Sequence, residues 1–397
     1  MKNYLVCLAA LISILSCKVS SPPSMSDIID KSLDRAVEQS TLMYAVIDSI
    51  PEALPRSINP NGSLETSDSY FWTSGFYPGT LWYLYEYTKD DRFKEMAVKM
   101  SDRVEIQKFN TDNHDVGFMI NCSFGNKLRL TEDSSCVDII ATTAKSLATR
   151  YRPTVGCTRS WSHPATSHWQ FPVIIDNMMN LELLLKASKL TGNQQFHDIA
   201  ISHANKTMAN HFREDFSSYH VIDYDTLSGK AIDKRTWQGY SDNSAWSRGQ
   251  SWALYGYTMM YRETKDKRYL EQANHIASFL INHPNLPDDK IPYWDFDDPK
   301  IPNTLRDASA AAIMASALIE LSAFADAEQG KNYMAVAEKQ LRTLSSDEYL
   351  AKKGENGNFI LKHSVGFLPQ NSEVDVPLTY ADYYFIEALM RYKALKP

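Results

Sequence analysis

The chain is short of glycine, of cysteine and of clustered positive charge. Glycine accounts for 15 of 397 residues, against an average near ~7%. So few glycines build few tight turns, which leans away from an all-β fold. Cysteine occurs five times, at positions 7, 17, 122, 136 and 157. Cys122, Cys136 and Cys157, the ones inside the body of the chain, are odd in number and scattered, so they form no disulfide framework and are expected as buried free thiols. No CxxC or HExxH occurs, which leaves no sequence case for zinc, and neither metal nor cofactor is expected. No basic run appears, and the net charge is −7. Nucleic-acid binding needs clustered Lys and Arg and is therefore excluded as a partner class. With 44% hydrophobic residues the chain is also not disordered.

Residues 1–16 read MKNYLVCLAALISILS, a basic Lys2 followed by an apolar stretch from Leu5 to Leu15. That is an export signal, too short to span a membrane as a helix. Cys17 follows Ile14-Leu15-Ser16 in the manner of a lipobox, so cleavage before it would leave a lipid-modified first residue. The expected organisation is a lipoprotein-type signal at 1–16, a tether at 17–26, and one large domain at 27–397. Contact with a membrane is expected only through the Cys17 anchor, placing the protein in the periplasm or on the outer membrane. No oligomeric state follows from the sequence.

The body carries a weak repeat. YEYTKDDRFKEMAVKM (85–100), KASKLTGNQQFHDIAISHA (186–204), YRETKDKRYLEQANHIASFL (261–280) and LSAFADAEQGKNYMAVAEKQL (321–341) share one form: a helix end, a polar turn, then an aromatic residue opening another helix. Phe93, Phe196, Tyr269 and Tyr333 fall at equivalent places, each with Ala three or four residues on, which marks one apolar helix face. Six nearly continuous apolar helices are expected from Trp72, near Gly117, and from Asp176, Trp246, Ser309 and Asp382. Their amphipathic partners are expected at about 27–47, 90–108, 133–150, 193–212, 266–282 and 330–345. Helical hairpins of this kind bury their faces only against neighbours. Six inner and six outer helices give an all-α (α/α)6 barrel, a six-hairpin toroid, with an open α-solenoid as the structural alternative. The long loops 151–171 and 213–245 favour closure around a site, and a small β-hairpin is expected within 218–235.

Polar residues at the starts of inner helices are the site candidates. Asp176 opens the third, with Asn180 one turn on along the same face. His114-Asp115 precedes the second. Each carboxylate alone reads as readily as a helix-dipole partner or cap. Together in a cleft, two carboxylates push their pKa values apart, so that one donates a proton while the other stays ionised. Arg248 and Trp252, four apart on the fourth inner helix, share a face suited to a carboxylate and a ring; a structural ion pair is the plainer reading. Trp161, His220 and Gln238 lie in the long loops, and Trp72 stands at the start of the first inner helix.

At these residues the sequence resembles glycoside hydrolase family 88, the unsaturated glucuronyl hydrolases. The matching stretches are NHDVGFM (113–119), IDNMMN (175–180), WQGYSDNSAWSRGQSWALYGY (237–257) and DVPLTYADYYFIEALMRY (375–392). The resemblance implies an (α/α)6 barrel with no metal or organic cofactor, acting on oligosaccharides that bear a 4,5-unsaturated uronic acid at the non-reducing end. It implies hydration of the C4=C5 vinyl ether instead of displacement at the anomeric carbon by two carboxylates. By the same resemblance Asp176 is the general acid/base and Asp115 the second carboxylate, with His114, Trp161, His220, Gln238, Arg248 and Trp252 around the unsaturated ring. Arg248, with His220, is expected near the ring carboxylate or the attacking water. HSVGFLP (363–369) departs from the family, which commonly has an aromatic where Gly366 stands, and NSEVDVPLTY departs from a Gly/Ser-rich loop. Substrate choice beyond the ring is therefore open. Competing readings are an unsaturated rhamnogalacturonyl hydrolase on pectin fragments, a sugar 2-epimerase, and a non-catalytic lipid-anchored glycan-binding protein.

Overall fold

The computed structural model describes residues 23–162 and 167–395. The signal segment and Cys17 lie outside the described residues. Of the expected tether, Ser24 is already the cap of the first helix, α1 (Met25–Ile47), its hydroxyl accepting from Asp27 N–H while Asp27 reaches back to Ser24.

Six outer helices surround six inner ones. The outer set is α1, α3 (Asp91–Asp102), α6 (Ser135–Ala148), α8 (Gln194–Asn210), α10 (Lys267–Asn282) and α12 (Ala327–Leu344). The inner set is α2 (Phe76–Thr88), α4 (Val116–Ile120) continued through a π turn into α5 (Asn126–Thr131), α7 (Asn177–Thr191), α9 (Ser247–Thr264), α11 (Ala308–Ser322) and α13 (Thr379–Leu395). Each inner helix packs on the next, and α13 packs back on α2, so the ring is closed and the solenoid is excluded. The first helix, α1, packs on the last, α13, with Lys393 Nζ 2.6 Å from Asp30 Oδ1 across that seam.

The repeated aromatic and Ala positions explain the outer wall. Phe93, Phe196, Tyr269 and Tyr333 are buried on α3, α8, α10 and α12, and the Ala four residues after each is fully buried. The polar turn before each supplies a capping side chain: Asp90, Asn193, Asp266 and Asp326 each accept an amide hydrogen from the first turn. Inner helices such as α11, buried on every side, carry the near-continuous apolar sequence that burial demands.

Strands decorate the mouth of the ring. β1 (Leu54–Ile58) pairs with β2 (Leu64–Ser67), and β3 (Tyr151–Arg152) with β4 (Cys157–Thr158). The expected hairpin within 218–235 is β6 (Val221–Tyr224) with β7 (Ala231–Arg235), extended by β5 (Pro172–Ile174) into a three-stranded sheet. A further hairpin, β8 (Ser364–Phe367) with β9 (Ser372–Val376), was not anticipated from the sequence. The three described cysteines are free and buried, as expected.

Candidate active site

Six inner-helix N-termini face one end of the ring. Their partial positive charges make that end receptive to an anion despite the net acidity of the chain. Trp72, Asp115, Phe118, Trp161, Ile174, Asp176, Gln238 and Arg248 line one cavity there, of about 90 Å³. A wider cleft of about 570 Å³, lined by Tyr70, Phe71, Asp112, Asn113, Ser160 and Ser162, shares Trp72, Asp115 and Trp161 with it and leads outward. An inner chamber thus opens through aromatic walls into an outer groove.

Asp115 and Asp176 stand at the N-cap positions of α4 and α7, and neither side chain caps its own helix. Both carboxyls are therefore turned to the chamber. Burial raises the pKa of Asp176 to about 7 against the opposing Arg248 charge. Asp115 also rises to about 7, chiefly through burial, with the charge of Asp176 adding and a hydrogen bond from Asn180 opposing. Two groups of like pKa in one cavity titrate as a pair.

Two histidines flank the pair. His220 Nδ1 accepts from the backbone N–H groups of Trp237 and Gln238 at 3.1 and 3.2 Å. An accepting Nδ1 places the single hydrogen of the neutral ring on Nε2, which lies 3.6 Å from Asp176 Oδ2. Burial and the Arg248 cation hold His220 well below its ordinary pKa, so it is neutral. His114 Nε2 lies 3.3 Å from Asp115 Oδ2, and burial keeps this ring neutral too. His220 Nε2 and Asp176 Oδ2 make no hydrogen bond within the protein, whereas the His114 ring is held by Asn177 and by Asp115. His114 and His220 stand just behind the lining residues, and buried polar atoms left unmatched beside a cavity are what a polar ligand would satisfy.

Arg248 combines the two readings of the sequence. Its guanidinium donates to Val365 O, donates to Gly366 O at 2.6 Å, and lies 3.4 Å from Asp307 Oδ2. It also sits 4.5 Å above the Trp246 ring. Those contacts make a structural ion pair; the unpartnered Nε–H is one of the donors it leaves unused. Gln238 Nε2 donates to the same Gly366 carbonyl at 3.3 Å. The β8–β9 hairpin therefore anchors two cavity residues by its backbone. Gly366 is required there, because a Cβ would lie 2.5 Å from Glu373 Oε2, and Glu373 is fixed by Arg56 at 2.7 Å. The departure from an aromatic at 366 thus has a steric cause in this chain.

Trp161 lines both chamber and cleft, stacked on Trp169 at 5.7 Å. Trp72 does likewise, packed against Tyr380 at 4.9 Å. Trp252 does not line the cavity. It is fully buried against Phe118 and Tyr384, behind the residues that line the cavity and not at its surface as the sequence led us to expect. Four-residue spacing put Trp252 on the Arg248 face, but α9 is enclosed all round, so a shared face is not a shared cavity. Asp307 and the outer-groove residues carried no distinguishing signal in sequence. Among the described residues no three His, Cys, Asp or Glu side chains converge as a metal site.

The model of Glycosyl Hydrolase Family 88 matches residues 45–389. The chain belongs to this family. It is a glycoside hydrolase. An unsaturated glucuronyl hydrolase of Formosa agariphila is 50% identical over 321 residues, covering 81% of this chain and 79% of the relative. An unsaturated chondroitin disaccharide hydrolase of Streptococcus pneumoniae is 30% identical, covering 94% and 96%. The crystal structure of an unsaturated glucuronyl hydrolase specific for heparin superimposes with a TM-score of 0.90 at 50% identity, over 94% of this chain and 98% of that one.

Proposed function

We propose that this family 88 hydrolase removes a 4,5-unsaturated glucuronic acid from the non-reducing end of lyase-generated glycosaminoglycan oligosaccharides. The observation that carries the reading is the pair Asp115 and Asp176, two carboxyls raised to about 7 in one small chamber beside neutral histidines. In this reading the protonated Asp176 delivers its hydrogen to C4 while water adds at C5, giving back a proton to the same carboxylate. The C4=C5 bond becomes a C4–H and a C5–OH. The resulting hemiketal opens, and the aglycone leaves with the remaining proton. Asp115, ionised, opposes the positive charge that develops on the ring. Trp161 and Trp72 flank the sugar, His220 donates to it, His114 backs Asp115, and Gln238 and the Arg248 Nε meet its carboxylate.

The conjugated double bond absorbs in the ultraviolet, so its loss reports turnover. Heparin-lyase disaccharides are the first substrate, since the 50% identical structure is of an enzyme specific for heparin; chondroitin and unsaturated rhamnogalacturonyl fragments are the comparators. Turnover of a glucuronyl product is expected. No loss of absorbance from any unsaturated uronyl product overturns the reading, and binding without turnover would make the chain a glycan-binding protein. We also propose export and lipid attachment at Cys17, facing the periplasm or outer membrane. Cys17→Ser is expected to move the protein from the membrane to the soluble fraction.

A further inference from the structure

Asp115 occupies the N-cap position of α4 without bonding to its own helix. The bond expected of a cap comes from a different helix. Phe118 N–H donates to Asn180 Oδ1 of α7 at 2.9 Å, and Asn180 Nδ2 donates to Asp115 Oδ1 at 3.1 Å. Gly117 allows this approach, since a Cβ there would lie 2.4 Å from Asn180 Oδ1 and 2.7 Å from its Cα. The orientation of the amide follows from its partners. An N–H can meet only the oxygen end, so the NH₂ end faces Asp115, and Asp115 Oδ1 must accept.

We propose that Asn180 is a positioning residue: it caps α4 in place of Asp115 and holds Asp115 Oδ1 as an acceptor, so that the proton of the carboxylate pair rests on Asp176. This rests on the reading of Asp176 as general acid. Asn180 is buried one turn along α7 from Asp176 and ties the two carboxylate-bearing helices together. The titratable and charged groups facing the pair are His114 beside Asp115, Arg150 after α6, and, around Asp176, His220 from β6's approach and Arg248 from α9.

The isosteric variant Asn180→Asp tests it. A protonated carboxyl repeats the amide pattern, with C=O toward Phe118 N–H and O–H toward Asp115. An ionised one has no hydrogen to donate. The expected result is a folded enzyme whose kcat optimum moves to acid by about one pH unit. Its kcat should be within about threefold of wild type at pH 5 and at least about tenfold lower at pH 8, with KM little changed. Asn180→Ala removes both bonds at every pH and should lower kcat across the whole profile. A profile for Asn180→Asp that superimposes on wild type overturns the proposal. So does a loss equal to that of Asn180→Ala at every pH, which would mean a purely structural bridge. Wild-type turnover and its loss in Asp176→Asn test the acid role separately, so failure of one reading is not mistaken for failure of the other.

Discussion

The two ends of the barrel treat buried charge in opposite ways. At the mouth, Asp115 and Asp176 are pushed toward the neutral form, the histidines are kept neutral, and several polar atoms have no protein partner. At the far end, the later turns of the same inner helices carry a closed ion network. Glu320 holds Arg262 and Arg391, each at 2.9 Å, and Arg262 also holds Glu182 at 2.5 Å. Glu387 accepts from Tyr83, Tyr255 and Ser316 at 2.9, 3.1 and 2.6 Å. There the charged forms are reinforced: Glu320 stays below its ordinary pKa although buried, and both arginines are raised. Burial is common to both ends. Partners differ, and partners decide whether a buried carboxylate keeps its charge. One end is built to hold and the other to react.

The comparison breaks first at Asp176. Asp176→Asn keeps the shape but has no proton to give, so kcat should fall by about a thousandfold or more, on the order of general acid–base contributions. The ultraviolet assay checks it, and near-normal turnover would remove Asp176 from the role.

Glu320→Gln tests the far end. It leaves two arginines short of a carboxylate in a largely buried place, for which about 2–4 kcal/mol of stability is the expected loss. Denaturant unfolding should show it, while kcat and KM of the folded enzyme stay as in wild type. A variant that loses turnover but not stability would join the two ends that the structure keeps apart.

A smaller effect has the opposite sign. An Asp whose folded pKa is about 7 holds a proton that the unfolded chain, near 3.9, has already released. Between those values the folded state binds more protons, so stability falls as pH rises from about 4 to about 7 and is level above. Asp176→Asn removes that dependence. It should be more stable than wild type by about 1–3 kcal/mol at pH 8, and equal to it near pH 4. Urea midpoints at the two pH values measure this. An inactive variant that is also the more stable would mark Asp176 as strained for function.

What could be read from the sequence followed the same division. The outer hairpins were legible because an aromatic, an Ala one turn on and a capping turn are local signals. The paired carboxylates were legible because they open two inner helices within recognisable stretches. Contacts across the ring were not. Arg248 is fixed by carbonyls more than a hundred residues away. Asp307 looks in sequence like the cap it is, and nothing local shows its second duty beside Arg248. The π turn after α4 has no sequence mark either, and Asn180 discloses its two bonds only once α4 and α7 are side by side.

The finest test separates two tryptophans that the sequence had placed together. Trp161 lines the chamber and the groove, whereas Trp252 lies behind the lining residues with its Nε1 unbonded. Losing a stacking face on a sugar should cost about 1 kcal/mol of binding, so Trp161→Ala should raise KM about five- to tenfold. Trp252→Phe gives up no hydrogen bond and keeps a ring against Phe118 and Tyr384. It should lose about 1–2 kcal/mol of stability through imperfect filling of its site, with KM within about twofold of wild type. If KM for Trp252→Phe rises as far as for Trp161→Ala, Trp252 is part of the sugar site after all, and the chamber extends one layer deeper into α9 than its lining residues indicate.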